Sequence, residues 1–425
     1  MTDRDDFTWR MQAPIYATAF FTGNVFPMMH VLMPLWALQL TDSPLIIGLI
    51  ISSRQLLPVL LSIHGGALLD RFGPRRVIMV LGTAGALGTA LFPALPFVWA
   101  AILLQILTGF GETTNWIGVQ SAVGTILKGH SIFAGRMTAS ARTGGFIGPI
   151  VAGTAWQVFG PYGGFLFLAG WLFCGAVASS FLPRHETEHG KDHGTTHGAG
   201  EGKGAETDAP PPARRRADVM PRMSDYRDTF RLLMLSGVAL VITATFMRQT
   251  GSGIQSSFYG VWLKQELGLT GSTIGFLIGF GNAVSALAAL TIGPLTRRYA
   301  EHWLLLVMVG LAIVSMAVTP MLHGIVLLAV VIGLRGASQG LNLPLMMSIS
   351  SRAVPLTLQG RVAALRISFN RLGSALFPIG MGALAEVVGL EEAFYLIGGT
   401  GVLLIVGLGL WLYRKRPDMT AQSGG

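Results

Sequence analysis

The chain has 425 residues, 51% of them hydrophobic and only 12% charged, with a mean hydropathy of +0.57. Soluble domains carry about 25% charged residues, so a chain this apolar cannot keep its surface wet and is expected to use lipid as its solvent. The net charge of +9 alternates along the chain with the predicted loops, which argues for membrane topology and against a nucleic-acid partner.

In chain order, the apolar runs cover 13–40, 44–68, 76–94, 97–124, 134–160 and 162–183, then 231–263, 271–296, 302–320, 323–350, 358–388 and 392–413. A helix needs about 20 residues to cross the hydrocarbon core, so twelve transmembrane helices are predicted. The residues before the first run are polar and mixed in charge, so no cleavable signal peptide is apparent and the first span is expected to be retained. Cys174 is the only cysteine and falls in an apolar run, which excludes an intrachain disulfide and a cysteine metal site.

Basic residues fill every second loop: Arg71, Arg75 and Arg76; Lys128 and Arg136; Arg184 to Arg231; Arg297 and Arg298; Arg352 and Arg361; Arg414, Lys415 and Arg416. The intervening loops hold Asp42, Lys264, Glu266, Glu391 and Glu392. The positive-inside rule then places both termini and the long central loop in the cytoplasm, in a multi-pass protein of the plasma (cell inner) membrane.

Residues 184–230 interrupt the apolar pattern. His185, His189, His193 and His197 recur at every fourth position, which would align imidazoles on one helix face and permit metal binding. Gly190, Gly194 and Gly198 interrupt that repeat, and Pro210, Pro211 and Pro212 follow it, so a disordered linker is the preferred reading. The predicted organisation is a six-helix bundle over 1–183, the linker over 184–230, and a second bundle over 231–425.

An internal repeat supports that division. Trp36 and Trp262 are 226 residues apart; Gly48 and Gly275, Gly66 and Gly293, and Asn115 and Asn342 are 227 apart. Arg142 and Arg371, Gly144 and Gly373, Pro149 and Pro378, Gly153 and Gly382, and Phe165 and Phe394 share an offset of 229. A duplicated, parallel six-helix unit follows.

Two motifs refine the reading. Between the second and third runs stands Gly66-Ala67-Leu68-Leu69-Asp70-Arg71-Phe72-Gly73-Pro74-Arg75-Arg76. It combines a small residue where helices approach, an acid able to meet a helix N-terminus and a glycine to turn the chain. In the fifth run, Gly144-Gly145-Phe146-Ile147-Gly148-Pro149-Ile150-Val151-Ala152-Gly153 offers small residues four apart and a proline that removes a backbone hydrogen bond. With the 6 + linker + 6 layout, these motifs resemble the major facilitator superfamily over essentially the full length. Pro74 departs from the loop signature, where a basic residue is usual.

The resemblance implies an all-α polytopic fold, two pseudosymmetric bundles of six helices enclosing a midplane site, and transport by alternating access. It implies that Gly66, Asp70, Arg71, Gly73 and Arg75 latch the halves in one conformation, with Asp70 near Gly360-Arg361; anchoring of the loop at the headgroups is the alternative. The fifth-span motif, with Gly148 and Pro149 as gating residues, resembles that of proton-coupled antiporters and favours export; plain helix packing is the alternative. The fourth-span exporter signature is incomplete, because Gln105-Ile106-Leu107-Thr108-Gly109 lacks its arginine.

Ionisable residues deep in a span are costly and therefore functional suspects. Arg54, Glu112, Arg142, Arg248, Arg335 and Arg371 lie well inside the runs, five positive charges against one negative. Arginine stays charged and grips carboxylate or phosphate with two parallel hydrogen bonds, so the set predicts a small organic anion as substrate. Arg142 could instead snorkel to the headgroups, and Arg54 could brace the adjacent loop. Glu112 is either a structural counter-ion or the coupling group. Asn115 and Asn342, with Asn24, Gln249, Asn282 and Gln339, add neutral hydrogen-bonding groups, each also able to act between helices. His30 and His64 read as structural.

No Walker loop, no Gly-x-Ser-x-Gly elbow and no metal-ligand spacing inside a span is present, so neither ATP-driven work nor enzymatic chemistry is expected, and no cofactor. The expectation is a monomeric secondary transporter of a carboxylated or phosphorylated metabolite, coupled to an ion or proton gradient. The alternative is a proton-coupled multidrug exporter of amphipathic compounds, with Glu112 carrying the proton.

Overall fold

The computed structural model describes residues 8–127, 131–183, 234–354 and 356–414. The linker and its histidine repeat lie outside them, as do Lys128, the side chains of His64, Asp70 and Arg361, and the surroundings of Gly66. Among the described residues the chain is helical and has no strand. It forms twelve spans in two bundles of six, the architecture the hydropathy pattern predicts.

Several runs are not single helices, for identifiable reasons. The first span breaks at Gly23–Asn24 into Trp9–Thr22 and Val25–Leu40, where the pattern predicts one continuous run. Pro44–Ser53 and Leu56–Ala90 carry the second and third spans, turning at Gly73 with φ 76°. That positive φ suits glycine, and Pro74 cannot donate a hydrogen bond back into the preceding helix. The fourth span is Val98–Ile126. Ser131–Ser180 holds the fifth and sixth, turned at Gly160 with φ 65° just before Pro161.

In the second bundle, the seventh span runs Ser236–Ile254, then a π-helical turn Gln255–Tyr259, then Gly260–Gln265. The eighth is Gly271–Ala289, opened by the Thr270 side chain accepting from the Thr273 amide at 3.4 Å. Glu301–Ala317, Ile325–Ala353, Leu356–Val388 and Leu390–Arg414 complete the set. Large apolar side chains such as Leu403, Phe159 and Val387 point outward, as helices facing acyl chains require.

The two bundles meet tightly at the end remote from the termini. Three helix pairs close it: the first with the seventh, the second with the eleventh, and the fifth with the eighth. Small residues set the approach. A Cβ on Gly275 would lie 2.2 Å from the Pro149 carbonyl oxygen, and one on Gly48 would lie 2.3 Å from that of Pro378. Repeat mates therefore pack on repeat mates, because Gly48 and Gly275 are one pair and Pro149 and Pro378 another. Glu386 fastens the same end, its Oε2 accepting from Ser43 Oγ at 2.8 Å and from the Leu45 amide at 3.1 Å across the halves. Ser272 donates to Gln157 on the opposite edge.

Gly275→Val is expected to hold this end open, since its side chain overlaps backbone rather than a flexible tip. Spin labels at Phe159 and Lys264, one in each half, should show a longer distance in the variant. An unchanged distance would mean that the eighth span can slide without parting the halves.

A candidate substrate site between the halves

Below the sealed end, polar side chains converge from the first, second, fourth, seventh, tenth and eleventh spans. A cleft of about 20 Å³ lies among Phe26, His30, Arg54, Gln105, Ser256 and Ser374. That is room for about one water molecule.

On the first half's side, Arg54 is 4% exposed and ends the short helix Pro44–Ser53. Its Nε donates to Glu112 Oε2 at 2.9 Å, its Nη2 also meets Glu112, and its Nη1 donates to Gln105 Oε1 at 2.7 Å. Gly109 makes this possible, because a Cβ there would lie 2.1 Å from the Arg54 carbonyl oxygen. Gln105 begins the stretch that lacks the expected fourth-span arginine. The second span thus delivers a guanidinium to the residue that stands in its place. Glu112 is a counter-ion to Arg54, so this acid, deep in the fourth span, is held in an ion pair.

In the second half, Arg248 donates to Gln339 Oε1 at 2.9 Å and to Asn370 Oδ1. Gln339 donates on to Ser252 at 2.7 Å, and Gln249 donates to the Asn370 carbonyl oxygen at 2.9 Å and to Ser374. This network ties the seventh, tenth and eleventh spans together with neutral acceptors only. Arg335 is 7% exposed and its Nε has no hydrogen-bond partner; the Nε of Arg371 is likewise buried and unpartnered. Arg371 lies within electrostatic reach of Glu112 in the other half, and Arg248 within reach of both Arg335 and Arg366. Guanidinium groups keep their charge, so the region between the halves holds more positive charge than its one acid balances.

Not every expected residue joins this group. Asn115 turns towards the third span, its Nδ2 3.6 Å from where a Cβ on Gly82 would lie, so it packs inside its own half. Asn342 is fully buried with both amide atoms unpartnered. Arg142 is exposed. Asn24 donates to the Phe20 carbonyl oxygen at the break in the first span, and Asn282 donates to that of Gly145 at 3.2 Å, so both serve helix contacts.

The gating residues are also better placed. Arg75 donates to the Leu182 carbonyl oxygen at 3.1 Å and Arg71 lies over the Phe72 ring at 5.2 Å, both contacts within the first half, while the Asp70 and Arg361 side chains of the expected latch lie outside the described residues. In the fifth span, Gly144 and Gly148 face Asn24 and Met28 of the first span, while Pro149 and Gly153 face Gly275 and Gly271 of the eighth. Both faces of that motif are thus helix contacts.

Three residues of the site escape a reading of the sequence. Arg366 stands near the start of its run, where a basic residue looks like a headgroup anchor. Tyr259 owes its place to the π turn, which has no clear sequence signal, although such turns often mark functional sites. His30 lines the cleft, where a lone histidine in an apolar run reads as structural.

The sequence profile of the Major Facilitator Superfamily matches residues 15–247 and again 241–425. The fold is similar to that of the nucleoside transporter NupG, at TM-score 0.73 and 13% identity over 94% of this chain and 98% of that one. It is also similar to a peptide transporter POT in complex with sulfate, at TM-score 0.68 and 15% identity over 97% and 95%. A POT family transporter in complex with a thioalcohol-conjugated peptide gives 0.69 and 13% over 96% of each chain. At such identities the likeness is one of fold. No curated protein matches the sequence.

Proposed function

The chain belongs to the major facilitator superfamily, and we propose that it moves a small organic anion, carboxylated or phosphorylated, by alternating access. One observation carries the reading: Arg335 is buried between the halves with an unbonded Nε and, among the described residues, no carboxylate paired with it. A buried charge without a counter-ion is strongly unfavourable, and an anionic substrate would supply the missing partner. Arg248 and Arg371 extend the positive field, while Arg54 is already neutralised by Glu112.

In this proposal 1–183 and 231–425 are the rocking units and 184–230 is their cytoplasmic linker. Both termini are cytoplasmic in the plasma (cell inner) membrane, so the sealed end faces outward. The protein works as a monomer, without cofactor or catalytic chemistry, and draws on an ion or proton gradient, with Glu112 as the coupling group. Export is the proposed direction, resting on the resemblance of the fifth-span motif alone. The multidrug alternative needs an apolar cavity with few arginines, and fits the arginine group poorly.

The test is proton movement into proteoliposomes, read by an internal pH dye, across a panel of organic anions and lipophilic cations. The proposal expects signals from selected anions only, reduced at least tenfold in Arg248→Ala. Signals from lipophilic cations that survive in that variant would overturn it.

A further inference from the structure

Buried polar groups near the cleft remain that the arginine network does not use, and one of them, His30, lines it. Tyr259 ends the π turn, is 1% exposed, and its hydroxyl has no partner. His30, on the first span, has a buried Nε2 with no partner and lines the cleft. Arg335, on the tenth span, has its orphaned Nε.

The backbone brings these elements together. A Cβ on Gly260, next to Tyr259, would lie 3.3 Å from the His30 carbonyl oxygen and 3.2 Å from Pro34. Arg335 lies within electrostatic reach of both His30 and Tyr259. Each unpartnered atom can donate a hydrogen bond, and none of the three has found an acceptor. Native structures keep few buried donors in that condition, and a shared ligand is a common reason for it. An amine or other cation could not satisfy them. A carboxylate could, since its two oxygens offer about four acceptor positions to the edge of a guanidinium, a phenol and an imidazole.

We infer that Arg335, Tyr259 and His30 form an oxyanion subsite, built from both halves, that holds one carboxylate of the substrate while the outer end is sealed. This rests on the anion reading above and adds to it a position and two residues. His30 belongs to the first half, and Tyr259 and Arg335 to the second. A carboxylate here would therefore bridge the halves, and parting them at the outer end would split its donors. Affinity should fall as that gate opens.

The test uses the full chain in lipid nanodiscs, with thermal unfolding read against sodium succinate, sodium benzoate, sodium phosphate and the lipophilic cation tetraphenylphosphonium, and with sodium chloride as the inorganic control. Tyr259→Phe keeps the ring and removes one donor to a charged acceptor, so carboxylate binding should weaken by about 10-fold or more. His30→Gln should weaken it as well. Without any ligand, Tyr259→Phe should raise the melting temperature, because a buried hydroxyl with no partner is removed; a fall would overturn the subsite. Equal protection by chloride, or protection by phosphate alone, would overturn the carboxylate assignment. Binding lost in Arg248→Ala but unchanged in Tyr259→Phe would sink the subsite and leave the anion reading standing. Protection by lipophilic cations alone would remove both.

Discussion

Replacing Arg335 with methionine should abolish substrate binding and at the same time make the empty protein harder to unfold. Arg335 is 7% exposed, has no carboxylate partner among the described residues and leaves its Nε unbonded. Methionine follows much of the same path without the charge, so the unliganded state should gain on the order of 1–3 kcal/mol. The liganded state loses the opposite way. Truncating one side of a buried charge pair typically costs about 2–5 kcal/mol, or roughly 30-fold to several thousand-fold in affinity. Thermal unfolding in nanodiscs and uptake in proteoliposomes, run on the same preparation, check both arms. A variant that loses stability as well as transport would show that Arg335 is a structural residue. Opposite signs for stability and activity are what a site kept unstable for its ligand should give.

The second large effect concerns Glu112. Glu112→Gln removes the counter-ion from a guanidinium that is 4% exposed and leaves it only Gln105 and Thr108 as neutral partners. Breaking a buried pair from one side costs about 3–5 kcal/mol, whereas replacing both members with apolar residues of similar size is often neutral. The single variant should therefore unfold well below wild type, and Arg54→Met with Glu112→Met should recover most of the difference. Failure of the double variant to recover would mean the pair is held by more than its own charges. A Glu112→Gln protein as stable as wild type would show that the pair adds nothing to stability and that Glu112 is no structural counter-ion.

Much of the architecture is legible in the chain because membrane spans declare themselves by composition. The alternation of basic loops and the Trp36/Trp262 and Arg142/Arg371 offsets already describe a duplicated bundle. Arg54, Arg248 and Arg335 stand out for the same reason, each being a charge in an apolar run. What the sequence withholds is helix rotation. Asn115 and Asn342 look like a symmetric pair of ligand groups, yet Asn115 turns to Gly82 on the third span. Arg54 and Glu112 read as separate suspects until the Gly109 contact brings their helices within hydrogen-bond range. Tyr259 and His30 matter only because a π turn and the contact at Gly260 bring their two helices together across the halves. Neither feature follows from hydropathy.

The glycine-rich stretch of the fifth span teaches a related lesson. Read as a motif, Gly144 to Gly153 suggests a class of transport. Its two faces instead serve two neighbours, Gly144 and Gly148 meeting the first span and Pro149 and Gly153 meeting the eighth. Those contacts tie the motif to both halves of the molecule.

The most direct measurement is the current recorded on a solid-supported membrane carrying the reconstituted protein, when an organic anion is exchanged for chloride at constant pH. The account predicts a transient carried by negative charge for the transported anions, absent in Arg335→Met and unaffected by lipophilic cations. A transient evoked by lipophilic cations and retained in Arg335→Met would contradict it.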